Sequence, residues 1–154
     1  MQVDLYSVLL SLIFGFISTG VMTLIEIPFW KRWKLTGILE WHENQVLTCK
    51  IFKTSSDRIH FWGIFFFHFL NGSLGGLGLL LALILLPSLK DLNLFPLGLL
   101  YGFFLWILTL VPIHKPITGI NPWNHPLGKG PAILSLLGHF IYGITLVALF
   151  TIFF

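Results

Sequence analysis

His68-Phe69-Leu70-Asn71-Gly72 is written twice in this chain. It returns as His139-Phe140-Ile141-Tyr142-Gly143, each time inside an apolar run long enough to cross a bilayer. Four residues make about one helical turn, so each His stands over its Gly on one helix face. Working outward, one run extends over about 60–86 and stops at Pro87, and the other covers about 131–154. Two further runs of spanning length, about 5–29 and 94–113, complete the set. The fold expected is all-α: a single-domain, integral membrane four-helix bundle.

Composition agrees. The chain has 154 residues, 56% apolar and only 10% charged, with a mean hydropathy of +0.90. A soluble domain carries about 25% charged residues. Nine Lys and Arg against six acids bear on topology and lipid headgroups, and no nucleic-acid partner is expected. The single cysteine, Cys49, excludes an internal disulfide and a cysteine-based metal cage. The N-terminal run lacks a basic leader and a small-residue cleavage pattern, so the first helix is expected to stay in the mature protein.

Between the first two spans, 30–59 mixes Trp30, Trp33 and Trp41 with Glu40, Glu43, Lys50 and Lys53. That blend suits an interfacial segment, either helix or short hairpin. Thr54-Ser55-Ser56-Asp57 offers N-cap chemistry to the second span. The other long connection, 114–131, is Pro- and Gly-rich and irregular. These two loops hold Lys31, Arg32, Lys34, Lys50, Lys53, Arg58, Lys115 and Lys129, whereas the opposite side holds Lys90. The positive-inside rule therefore places both loops in the cytoplasm and both termini outside, in the plasma membrane of a prokaryote.

On that topology the second and fourth spans run parallel. His68 and His139 each lie eight residues from their starts, at similar depth, roughly 12 Å in. Glu26 lies toward the same end of the first span. Polar groups in hydrocarbon are costly and should face the bundle interior. Two readings follow. In one, His68, His139 and Glu26 share a site that binds a metal or passes protons. In the other, the histidines make interhelical hydrogen bonds beside close-packed glycines, Gly72, Gly76, Gly98, Gly102 and Gly143. Two histidines do not make a closed metal site, and no other cofactor is indicated. Glu26 has further candidate partners in Arg32, Lys34 and Arg58, or in the headgroups. His42, His60, His114 and His125 are expected to be interfacial and solvated. In Glu40-Trp41-His42-Glu43, neighbouring side chains point in different directions, which disfavours a common ion. Ser18, Ser73 and Ser135 read as packing residues, since no nucleophile–base pattern accompanies them.

Thr19-Gly20-Val21-Met22-Thr23, together with the two His-x-x-x-Gly turns, resembles small four-helix membrane proteins of uncharacterised families whose last helix carries His-x-x-Tyr-Gly. The resemblance implies the four-helix fold and no activity. The repeated turns also suggest two duplicated hairpins related by an axis along the membrane normal. Gly15-Phe16 would match Gly102-Phe103, Thr23-Leu24 would match Thr109-Leu110, and spans two and four would face each other.

The function expected first is a non-catalytic accessory or structural subunit of a larger membrane complex, for example a membrane-bound oxidoreductase or respiratory assembly. The lipid bilayer and other membrane subunits would be its partners. The alternatives are a small oligomeric transporter or channel, and a metal- or proton-handling protein using His68, His139 and Glu26.

Overall fold

Asp4 starts the first helix. Its carboxylate accepts hydrogen bonds from the Ser7 amide at 2.7 Å and the Ser7 hydroxyl at 2.6 Å, satisfying donors that a helix N-terminus leaves unpaired. In the computed structural model, which describes residues 4–154, the elements are α1 (Leu5–Trp33), α2 (Leu39–Phe52), α3 (Phe61–Leu85), α4 (Leu94–Thr109), α5 (Lys115–Thr118) and α6 (Gly130–Phe153). Four helices are long and apolar enough to cross a membrane: α1, α3, α6 and the continuous stretch Leu94–Thr118. No strand occurs among the described residues.

Two expectations about the segments need correction and one open alternative is settled. The third span does not end at residue 113. Pro112 lacks an amide hydrogen and would break an α-helix. Here a π-helical turn, Leu110–His114, absorbs it. The helix then continues as α5 and stops at Gly119, whose φ of 79° suits glycine. Residues 39–52 form a helix, one of the two forms the sequence left open, and its inner face is buried against the bundle. That face is Trp41, Asn44, Gln45 and Thr48, spaced i, i+3, i+4, i+7. Finally, Thr54 to Asp57 does not cap α3. Ser55 turns its hydroxyl to Asp57 instead, and the His60 amide near the start of α3 donates to the Gln45 side chain of α2 at 2.9 Å.

The long helices lie in the order α3, α1, α6, α4, with α2 and α5 across one end. Glycines set the spacing of two of the three contacts. A Cβ at Gly15 would strike the Gly72 carbonyl, and one at Gly76 would strike the Ser11 carbonyl, so α1 and α3 touch backbone to backbone. A Cβ at Gly102 would meet the His139 carbonyl, and one at Gly143 the Gly98 carbonyl, which brings α4 equally close to α6. Small residues permit such approach where lipid supplies no hydrophobic drive between helices.

The Gly15–Gly72 contact thus has a counterpart in Gly102–Gly143, as two equivalent hairpins require. The equivalence breaks down between hairpins. α1 packs directly on α6, whereas the corresponding pair, α3 and α4, flanks an open cleft. Spans two and four do not meet backbone to backbone; Tyr142 of α6 reaches across to donate to the Gly72 carbonyl at 2.6 Å. The side chain of Thr109, matched to Thr23 in the proposed repeat, lies outside the described residues.

Candidate functional site

The cleft between α3 and α4 deepens toward α2 into a cavity of ≈ 290 Å³. Its walls include Thr19 and Met22 of α1, Glu40, Glu43 and Asn44 of α2, His68 and Asn71 of α3, and His139 and Tyr142 of α6. His68 and His139 therefore face one cavity. Glu26 stands behind it.

Glu26 is fully buried. The Trp41 indole donates to its Oε2 at 2.7 Å, and His68 Nε2 lies 3.7 Å from the same oxygen. Its partners are these two groups, so the sequence-based alternatives Arg32, Lys34, Arg58 and the headgroups give way to a buried pairing. The Thr23 hydroxyl donates to the Thr19 carbonyl at 2.8 Å, leaving its lone pairs to accept from His68 Nε2 at 3.1 Å. That network assigns the His68 proton to Nε2.

His139 belongs to a different carboxylate. Its Nδ1 lies 3.5 Å from Glu40 Oε1 and donates to the Ser135 carbonyl at 2.9 Å. Ser135 donates its hydroxyl to the same Glu40 oxygen, so it serves as a hydrogen-bond partner as well as a packing residue. A third pair joins Glu43 Oε1 and His114 Nδ1 at 2.7 Å. His114 is fully buried, contrary to the solvated loop position expected for it, because the π turn carries it into the helix. The His42 ring lies 5.9 Å from the His114 ring. His125 is also buried, with Nε2 donating to the Thr36 carbonyl at 2.9 Å. His60 comes closer to the expectation and bonds the exposed Ser55 carbonyl.

Outside the spanning helices, burial and then the nearby Glu40 charge push the Glu43 carboxyl up to about 9, so it holds its proton at neutral pH. Burial and then the neighbouring His114 and His125 push His42 down to about 4, keeping it neutral.

The arrangement is three carboxylate–imidazole pairs, Glu26–His68, Glu40–His139 and Glu43–His114. The three residues expected to share a site are divided between two of these pairs. Among the described residues, no group of three or more His, Cys, Asp or Glu is placed to hold a metal ion. Sequence reasoning passed over Glu40, Glu43 and His114 as site residues. One signal was present: Glu40 and Glu43 are three apart, and in a helix that spacing puts them on one face.

Tyr142 closes the cavity away from α2, and Tyr101 stands beside it in the apolar cluster. Tyr142 bonds the Gly72 carbonyl and Tyr101 bonds the Gly75 carbonyl at 2.5 Å. Past them lies an apolar cluster of Phe14, Leu79, Leu80, Leu83, Leu97, Leu146, Val147 and Phe150. Comparison with protein-family models, curated proteins and solved structures finds no match to the chain.

Proposed function

We infer that this is a proton-handling membrane protein whose working part is the set of carboxylate–imidazole pairs around the cavity. The observation that carries the reading is the placement of Glu26–His68, Glu40–His139 and Glu43–His114 within one end of an otherwise apolar bundle. An ionised group in hydrocarbon is costly. A carboxyl and an imidazole side by side lower that cost by exchanging one proton, each able to hold it when the other does not.

The basic loops flank this end, so the positive-inside rule directs it to the cytoplasm, in the plasma membrane of a prokaryote. Protons would enter and leave from that side. The apolar cluster past the tyrosines speaks against a through-channel. Gly15, Gly72, Gly76, Gly98, Gly102 and Gly143 make their close contacts inside the bundle, so they lend no weight to the accessory-subunit reading.

Infrared difference spectroscopy of the purified protein tests the proposal. A protonated-carboxyl band should be present at pH 7, lose intensity as pH passes about 9, and be weaker in Glu43→Gln. A wild-type protein with all carboxyls ionised at pH 7 would remove the reading.

A further inference from the structure

The cavity has a back, a roof and a floor, and one open side. α1 and α6 form the back. At the α2 end, α2 packs on α5 and Lys50 Nζ donates to the Ile117 carbonyl at 3.0 Å, which draws the roof together. Tyr142, bonded from α6 to the Gly72 carbonyl of α3, makes the floor. What stays open is the side between α3 and α4. There Asn71 stands exposed, although it lies ten residues into a helix that spans the membrane. Leu47, Leu105, Ile113 and Ile117 supply apolar lining around the same cavity.

An amide exposed to hydrocarbon is costly unless something polar pairs with it. A mouth of this kind, facing sideways between two spanning helices, is reached from the bilayer rather than from water. The lining residues include no Lys or Arg, and Lys50 at the roof is turned to the Ile117 carbonyl, so an anionic headgroup inside the cavity would meet carboxyls and imidazoles rather than a basic side chain. They do present imidazoles, carboxyls, amides and a phenol, which both donate and accept hydrogen bonds. A volume of ≈ 290 Å³ lies at the small end of ligand cavities, roughly 300–1,000 Å³, and leaves a longer tail outside.

We propose that the cavity is a binding site for a membrane-soluble amphiphile with an uncharged, hydrogen-bonding ring headgroup, of the quinone or quinol kind. The ligand enters between α3 and α4, passes Asn71, and places its headgroup against His68, His139 and Glu43 while its tail stays in the lipid. This goes beyond the proton-handling reading and is separable from it: the Glu43 infrared band reports on protonation whether or not a ligand binds.

The test is binding of decylubiquinone to the full chain in phosphatidylcholine nanodiscs, with oleate as the anionic comparison. Saturable quinone binding is expected, weakened about tenfold in Asn71→Leu, with oleate binding far more weakly. Asn71 is exposed, so this variant should fold; Ile113→Trp, which narrows the mouth from another partly exposed position, is the second variant and should also weaken binding. Absence of saturable quinone binding to wild type would overturn the proposal. So would oleate binding as tight as quinone, or quinone affinity unchanged in both variants.

Discussion

Phe14, Leu79, Leu83, Leu97, Leu146 and Phe150 close the half of the bundle away from α2 by apolar contact. The half beneath α2 is built on the same four helices, yet its buried groups include Glu26, His68, His114, Ser135 and His139. Lipid offers apolar side chains an environment much like a protein core, so the first half is held by close packing rather than by exclusion of water. The second half depends on each polar group keeping its named partner. Packing of the first kind tolerates a change of shape if volume is kept. Pairing of the second kind does not tolerate loss of one partner, because the other is left buried and unpaired.

The glycine contacts underlie both halves and should be the most sensitive. Gly76→Ala sets a methyl against the Ser11 carbonyl, and Gly102→Ala sets one against the His139 carbonyl. Backbone cannot turn aside as a side chain can, so each should cost more than about 3 kcal/mol and reduce the folded yield on detergent size-exclusion chromatography. Gly20→Ala is the control. Its nearest neighbour would be Phe69 Cε1 at 3.9 Å, and its melting curve should match wild type. An equal loss for Gly20→Ala would break the distinction.

Within the two halves, Trp41→Phe is set against Leu146→Met. The first removes the indole that donates to Glu26 and should cost about 1–3 kcal/mol. The second keeps an apolar side chain at a fully buried position and should cost less than about 1.5 kcal/mol. A double-mutant cycle with Glu26→Met, which removes the acceptor of the Trp41 indole, sharpens the comparison. Most of the Trp41→Phe cost should vanish in that background, and a cost that stays whole would place it in packing instead.

The smallest expected effect is on pH dependence. Glu43 titrates near 9 in the fold against an ordinary 4.5, so the fold favours its protonated form. Its contribution is complete below 4.5 and is lost as pH rises through 9. Glu43→Gln should flatten the decline in stability across that window, so that its stability relative to wild type rises from pH 5 to pH 8. His42 acts in the opposite direction. Its value near 4 against 6.5 means stability is lost as pH falls from 6.5 toward 4. Thermal melts at pH 5, 6.5 and 8 would separate the two, and a Glu43→Gln profile parallel to wild type would count against a protonated Glu43.

Much of the bundle was legible beforehand. Four apolar runs, the inward face of His68 and His139, and the glycines of the close contacts all follow from composition and helical spacing. α2 was not legible, because its buried face is largely polar: Asn44, Gln45 and Thr48 beside Trp41. Hydrophobic periodicity finds a face that avoids water, and this one is buried by hydrogen bonds and by close contact between Gly63 and Thr48. The end of the third span was missed for another reason. Pro112 reads as a helix stop, and only the local widening of the helix lets the chain continue and carry His114 inward.

The sequence by itself determined the all-α class, the number of spanning helices and which polar residues would need partners. Those properties depend on runs and spacings within single helices. Tertiary structure alone decided the pairing: Glu26 with His68, Glu40 with His139, and Glu43 with His114, across separations of up to 99 residues. It also decided that the two hairpins close on one side and stand apart on the other. The repeated His-x-x-x-Gly turns look equivalent along the chain. They differ in the fold because α2, which has no second copy, supplies the carboxylate for only one of them.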